Sequence, residues 1–469
     1  MKDDRVLLVS AGMEHPKKSD NPVVRENRYL NYGLLGLGSL LARDGYDPLV
    51  VHGHFSFPEA FAQWLNEREL LTLKTPLLLS MPSSLALGWA KRFCREAMSL
   101  NPALRIVAGG RWVVSDDSRW VSQQIPEVAL VVHGTAEERI SSLVDATRWP
   151  SVQGTSLTGH RWEDRSGFIS SISDYAILHE YEHYHPSFEI SRGCGMGCSF
   201  CAEADSGLSP LKKPSDLFRE IGQCLAVYEE RVKKFYFESS LFAPTSKWID
   251  VFADRYRADG FDFQWRCETR VDSLSVGSIK KLASVGLRVV DLGLESANHK
   301  QLLRMKKTLD PERYLARASQ IIQIYADNGV QTKINVLLYP GETSATLNET
   351  VDWLLKHREY IRGVSIGPLV VYRCGFQTDA YVQYLNALGA AIVSRDDLDN
   401  CGYTGLHLST EIDADEAEEL SREISRMFMD AAAFYSLKSF CYFSPQLTFD
   451  AFIELARSSL PDSLTFSIS

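Results

Sequence analysis

Short apolar runs alternate with helix-patterned segments along most of residues 5–371, and this alternation restricts the chain to an α/β architecture built on parallel sheets. In the first third the runs fall at residues 6–10, 48–52, 76–80, 104–108 and 129–133. Helical patterns over 34–43, 57–66 and 87–100 separate them. Such a doubly wound, Rossmann-like sheet takes its ligands beyond the carboxyl ends of its strands. Here those ends are the loops 11–21, 52–55, 80–84, 109–112 and 134–137. The alternation stops over 151–185, where scattered Gly, Ser and Thr mark a linker. It resumes with runs at 188–191, 234–238, 262–270, 289–294, 331–338 and 363–371. Six strands are fewer than a closed eightfold barrel needs, so this part reads as a partial (β/α)6, TIM-like barrel. Four segments follow: a doubly wound domain (1–150), a linker (151–185), a partial barrel (186–372) and a mainly helical C-terminal region (373–469).

The first strand of the second series runs into Ser191-Arg-Gly-Cys-Gly-Met-Gly-Cys-Ser-Phe-Cys201. Cys194, Cys198 and Cys201 stand in a CxxxCxxC spacing, with Gly193, Gly195 and Gly197 interleaved. Thiolates this close on one loop reach a common metal centre, and thiolates are the ligands of iron–sulfur clusters. The glycines allow positive φ and close backbone approach round a bulky inorganic core. A structural zinc site needs a fourth Cys or His, often in a second close pair. The next cysteine, Cys224, lies in a helix-like run with no paired ligand. A [4Fe–4S] cube held by three thiolates keeps one iron open.

The loop resembles the cluster motif of the radical S-adenosylmethionine (radical SAM) enzymes. The resemblance implies that the open iron binds the amino and carboxylate groups of S-adenosylmethionine and that the reduced cluster cleaves it to a 5′-deoxyadenosyl radical. Phe200 then keeps water from the cluster. The strands downstream resemble the family in order. Phe235-Tyr-Phe-Glu-Ser-Ser-Leu-Phe242 is similar to the second-strand motif, and implies that Glu238 and Ser239 meet the cofactor's ammonium end. Trp265-Arg-Cys-Glu-Thr-Arg-Val-Asp272 is similar to the third strand, with Glu268 and Arg270 on the face opposite Thr269. Asp291-Leu-Gly-Leu-Glu-Ser296 is similar to the fourth, and implies that Glu295 and Ser296 approach the ribose or the amino-acid end. Ile334-Asn-Val-Leu-Leu-Tyr-Pro-Gly-Glu-Thr343 is similar to the fifth, which places Tyr339 at the cofactor and a backbone edge along the adenine; Leu338 replaces a glycine common in the family.

The first third resembles the cobalamin-binding domain of one radical SAM subgroup. It does so through Tyr32-Gly33-Leu-Leu-Gly-Leu-Gly-Ser-Leu-Leu-Ala, Ile106-Val-Ala-Gly-Gly-Arg and His133-Gly-Thr-Ala-Glu. This implies a corrin lying against Gly109 and Gly110. Most relatives carry Gly-Glu-Gly-Glu where this chain has Gly134-Thr-Ala-Glu-Glu. A dinucleotide site is disfavoured, since Gly33-x-x-Gly36-x-Gly38 has the wrong order and does not follow a strand directly. The implied activity is cobalamin-dependent C-methylation of an unactivated carbon in a small-molecule, natural-product-like substrate. The alternative is a non-methylating radical dehydration, rearrangement or cyclisation with a vestigial first domain. A flavodoxin or ferredoxin-type reductant is implied. Methylthiotransfer is disfavoured because only Cys94 precedes the loop.

Formal charge is -10 with no long basic run, which argues against a nucleic-acid partner. No apolar stretch approaches membrane-spanning length. Nine cysteines, three of them on the ligand loop, suit a reducing cytoplasm better than a disulfide framework. His52, His54 and His133 lie at strand ends. His179, His183 and His185 crowd one segment but read as packing residues, with no second group beside them to orient a metal ligand. Cys374, Cys401 and Cys441 are spaced too irregularly to suggest an auxiliary cluster. Residues 413–435 read as one helix that closes the open side of the barrel.

Overall fold

The computed structural model describes residues 4–13, 21–115, 118–145, 147, 155–158, 172–204 and 206–468. Parts of the loop 11–21 and of the segment 151–185 lie outside them.

Two six-stranded sheets organise the chain. The first comprises β1 (Arg5–Ser10), β2 (Asp47–His52), β3 (Leu77–Ser80), β4 (Ile106–Gly109), β5 (Leu130–His133) and β6 (Thr155–Thr158). Its order is β2-β1-β3-β4-β5-β6, parallel throughout. The order reverses between β1 and β3, so the crevice beyond their carboxyl ends is the topological switch point. β6 was not expected. It lies within the segment read as linker and completes the sheet beside β5. Its Thr-Ser-Leu-Thr run is too short and too polar to stand out among the surrounding Gly and Ser.

The second sheet comprises β7 (Ser187–Glu189), β8 (Lys234–Glu238), β9 (Gln264–Arg270), β10 (Leu287–Glu295), β11 (Gln331–Leu338) and β12 (Gly363–Pro368). Its strands lie side by side in chain order, all parallel, with β7 and β12 as free edges. This is the expected partial barrel. On β9 the alternation sorts the side chains by chemistry. Trp265 turns to the helix layer, stacked on Phe237 at 4.6 Å and close to Phe252. Arg266, Glu268 and Arg270 turn to the interior.

That interior is charged. Arg266 and Asp291 pair at 2.5 Å with side chains 1% and 0% exposed, and Lys333 reaches Asp291 at 3.1 Å. The C-terminal region closes this end. The Leu437 carbonyl accepts from Arg266 at 2.7 Å, and the Tyr442 ring lies 4.8 Å under the guanidinium. The helix expected over 413–435 is two helices, Ala414–Phe428 and Ala431–Lys438. Met429 is extended between them, and the Asp430 side chain accepts from the Ala433 N–H, which starts the second. Short ladders pair Val371–Tyr372 with Tyr403–Thr404 and Ala391–Ile392 with Leu406–His407, so the region is helical with two small β additions. Among the described residues no helix is long and apolar enough to cross a membrane.

Candidate active site

β7 ends where the Ile190 N–H meets the Glu238 carbonyl at 2.8 Å, and the chain then curls back over the barrel mouth. Gly193, Gly195 and Gly197 take φ of 72°, 69° and 71°. A side chain at any of the three would be strained, so the interleaved glycines are what let the loop coil. Backbone bonds pin it: Cys194 N–H to the Ser206 carbonyl at 2.8 Å, Ser199 N–H to the Met305 carbonyl at 2.9 Å, and Cys201 N–H to the Cys198 carbonyl at 3.1 Å. The three thiols come within electrostatic reach of one another. Burial raises Cys194 and Cys201 above the ordinary thiol range.

Two donors already face these sulfurs. Arg270 Nη1 lies 3.6 Å from Cys198 Sγ, and the Glu203 N–H lies 3.4 Å from Cys201 Sγ. Among the described residues no three His, Cys, Asp or Glu side chains converge as they would round a single ion. Ligands to separate irons of a cube stand farther apart than ligands of one ion. A coiled loop with three facing thiols and N–H and guanidinium donors at the sulfurs therefore fits a cluster better than zinc.

The strand ends around the loop hold most of the other expected residues. Tyr339 is buried, its hydroxyl 2.9 Å from Ser199 Oγ, and its ring meets Phe200 edge-on at 6.3 Å. Arg270 is fixed by Asp272 at 2.9 and 3.0 Å and by the Lys307 carbonyl at 2.7 Å. Glu295 ends β10 at φ 68°, a conformation unusual for a non-glycine residue, and Lys307 Nζ holds its carboxylate at 2.9 Å. Glu238 is pushed up to about 8, first by burial and then by the neighbouring Glu268 carboxylate. Glu268 accepts from the Tyr236 hydroxyl and is itself raised by burial and by Asp291. The Ser239 hydroxyl is buried with no hydrogen-bond partner among the described residues. Ser296 is placed differently. Its buried hydroxyl faces Thr350 at 3.2 Å and accepts the Asn298 N–H at 3.1 Å, so it is engaged in packing the helix Ser344–Lys356.

Gly109 and Gly110 line a cavity of about 330 Å³ at the carboxyl ends of the first sheet. Its walls are largely apolar, among them Leu34, Leu37 and Val132, and its far side is formed by Glu189, Arg192 and Glu203 of the cluster domain. Gly110 sits at φ 112°, and a Cβ there would fall 2.5 Å from the Met81 carbonyl oxygen. Only glycine permits that approach. At the switch point Asn31 donates to Ser10 Oγ and Ser80 Oγ, both at 3.0 Å, while its own N–H goes to His52 Nε2 at 2.9 Å. Burial holds His52 down to about 3, so it serves there as a neutral acceptor.

The remaining expected groups disperse. His54 bonds Tyr184 at 2.6 Å, His179 packs on Trp64, and His183 meets Ser444 at 3.4 Å. Cys94 is buried in its helix, Cys441 lies in the C-terminal core, and Cys401 is exposed at a helix end. Five charged residues between the domains had no role assigned from the sequence. Arg192 bonds Glu189 and Glu137, and Arg111 bonds Glu203. Arg111, Glu137 and Arg192 lie within quoted motifs and Glu189 and Glu203 beside one, but nothing in the motifs pairs them.

Residues 188–354 match the model of the Radical SAM superfamily. An uncharacterised methyltransferase of Pyrococcus horikoshii is 21% identical over 280 residues, covering 55% of this chain and 60% of that protein. A ribosomal protein uS12 methylthiotransferase, RimO, of a Nocardioides species is 28% identical over 195 residues, covering 38% of each. The chain thus spans less than two thirds of the length of either curated relative. Among solved structures, the radical S-adenosylmethionine methyltransferase TsrM of Kitasatospora setae, with cobalamin and a [4Fe-4S] cluster bound, superposes with a TM-score of 0.59 at 16% identity, over 78% of this chain and 72% of that one. The cobalamin-dependent S-adenosylmethionine radical enzyme OxsB, with aqua-cobalamin and S-adenosylmethionine bound, gives 0.58 at 14% identity, over 82% of this chain and 55% of that one. Residues 188–354 therefore match a radical SAM domain, and over most of its length the chain shares the fold of TsrM and OxsB.

Proposed function

We propose that the protein is a radical SAM enzyme that methylates an unactivated carbon of a small-molecule substrate with the help of cobalamin. The observation that carries this reading is one coiled loop bearing three thiols whose flanking residues, Ser191, Arg192 and Glu203, line the same cavity as the Gly109–Gly110 turn. Cys194, Cys198 and Cys201 would hold a [4Fe–4S] cluster, and the cavity would take the corrin. When bound, the cluster and S-adenosylmethionine supply a 5′-deoxyadenosyl radical and the corrin supplies a transferable methyl group.

The chain's own residues have defined tasks in this reading. Arg270 and the Glu203 N–H, which face Cys198 Sγ and Cys201 Sγ, would stabilise negative charge on a cluster held there. Phe200, on the loop, and Tyr339, which meets its ring and the Ser199 hydroxyl, would exclude water there. Glu238 would accept from an amino group of S-adenosylmethionine, and a cationic partner would favour its ionised form. Glu268, held by Tyr236, keeps a second carboxylate beside it. Glu295, fixed by Lys307, presents its carboxylate at the end of β10 for hydroxyl or amino donors. With β6 counted into the first domain, residues up to 158 would hold the corrin, 186–372 would generate the radical and 373–469 would close the barrel base. An external one-electron donor of the flavodoxin or ferredoxin kind completes the system.

The test is an anaerobic incubation of reconstituted protein with hydroxocobalamin, a strong reductant and S-adenosylmethionine, with 5′-deoxyadenosine and S-adenosylhomocysteine both quantified. Formation of both supports the reading. Formation of 5′-deoxyadenosine alone, with no retained corrin absorption, overturns the methylation reading in favour of a non-methylating radical reaction.

A further inference from the structure

We infer that the two ends of the cluster loop are latched to the two loops that wall the cavity, so that a ligand in the cavity and an ordered cluster loop stabilise each other. The inference rests on the reading above and gives a task to residues that the motifs contain or adjoin but do not explain. Arg192 stands two positions before Cys194. Its guanidinium takes Glu189 through Nε and Nη2 at 2.6 and 2.8 Å, and Glu137 through Nη1 at 2.6 Å. Glu137 belongs to the turn that follows β5. Glu203 stands two positions after Cys201 and is 8% exposed. Its carboxylate pairs with Arg111, which follows Gly110 directly, while its N–H points at Cys201 Sγ.

The cluster loop is thus gripped before its first thiol by the turn after β5 and after its last thiol by the turn after β4. Both turns line the cavity. The Arg192 side chain is 14% and Glu137 is 12% exposed, so this pair is shielded and held as a charge-assisted fork, unlike a solvated surface pair. A corrin that orders the Gly109–Arg111 and Gly134–Glu137 turns fixes Arg111 and Glu137 where they grip the loop. Coupling of this kind is reciprocal, so the ordered loop favours the corrin to the same extent. Arg111, Glu137, Arg192 and Glu203 are in these terms positioning residues.

The experiment measures anaerobic iron release from cluster-loaded protein to a ferrous chelator, with and without saturating hydroxocobalamin. Corrin absorption of the desalted protein is followed in parallel. In the wild type the corrin is expected to slow iron release at least about fivefold, a coupling in the usual allosteric range. In Arg111→Met and Glu137→Gln, at saturating hydroxocobalamin, the slowing is expected to fall to within about twofold, and the affinity for the corrin to fall by the factor lost from the slowing. Should either variant fold poorly, Glu203→Gln breaks the second latch with a smaller change. Bound corrin with no slowing in the wild type overturns the inference and leaves the functional reading intact. Equal slowing in wild type and variants also overturns it, since the corrin would then be a passive shield. Failure to retain corrin at all overturns both.

Discussion

The contact between Arg270 and Cys198 sets up the sharpest quantitative consequence of the site. Arg270 Nη1 lies 3.6 Å from Cys198 Sγ, and the side chain is only 7% exposed. A unit charge about 4 Å from a unit negative charge contributes roughly 4 kcal/mol at an effective dielectric of about 20. Two things reduce this. The added electron spreads over the cube, and Asp272 neutralises part of the guanidinium from 2.9 and 3.0 Å. About 1 to 2 kcal/mol remains, which is roughly 40 to 90 mV for one electron. Arg270→Met should therefore make the cluster harder to reduce by that amount. Asp272→Asn should shift the potential the other way and by less, because this carboxylate is 37% exposed and screened. Arg270→Lys keeps the charge while giving up the fork to Asp272 and the Lys307 carbonyl. Its potential should stay near the wild type, which separates charge from packing. The assay is an anaerobic redox titration followed by electron paramagnetic resonance, with iron content and thermal unfolding as controls. An unchanged or raised potential in Arg270→Met, or shifts of the same sign in the Met and Asn variants, would refute the electrostatic reasoning.

Other consequences reach the barrel and the cavity. Asp291→Asn strands a buried guanidinium and should cost about 3 to 5 kcal/mol in urea denaturation, whereas Arg266→Met should cost less because Lys333 still faces Asp291 at 3.1 Å; the reverse ranking would contradict the network. Gly110→Ala forces a Cβ against the Met81 carbonyl at φ 112° and should lower stability by about 1 to 3 kcal/mol and weaken hydroxocobalamin binding; wild-type melting and affinity would show that the turn is not a close approach. Burial lifts Glu238 from 4.5 to about 8, so the folded chain keeps a proton that the unfolded chain has lost. The stability of the ligand-free protein should therefore fall as pH rises between about 4.5 and 8, and Glu238→Gln should flatten that part of the profile, read as melting temperature against pH. An identical slope in the variant would remove Glu238 as its source.

What was legible in the sequence follows the range over which each signal acts. Strands such as Lys234–Glu238 and Gln331–Leu338 begin and end where their apolar runs do, because alternation and the flanking turn residues are local. The coil of the cluster loop was legible for the same reason, since positive φ at Gly193, Gly195 and Gly197 is a property of single residues. The short polar strand Thr155–Thr158 was missed because it gains its place only by pairing with β5. The break at Met429 was missed because apolar periodicity continues across it while the Asp430 cap restarts the helix. Ser296 follows a recognisable motif, yet its hydroxyl is committed to Thr350, a contact fifty-four residues away. The Arg111–Glu203 and Arg192–Glu137 pairs join segments whose proximity exists only once both sheets are built. Nothing in a single chain's pattern announces such pairs.

The central claim concerns the three thiols of one loop and the metal they hold. Anaerobic reconstitution with iron and sulfide, followed by elemental analysis and electron paramagnetic resonance of the reduced protein with and without S-adenosylmethionine, tests it most directly. The account expects about four irons and four sulfides per chain, and a spectrum that changes when S-adenosylmethionine is added. It also expects all of this to vanish in a Cys194→Ala, Cys198→Ala, Cys201→Ala variant that remains folded. Stoichiometric zinc in place of the cluster, or a cluster whose spectrum ignores S-adenosylmethionine, would contradict it.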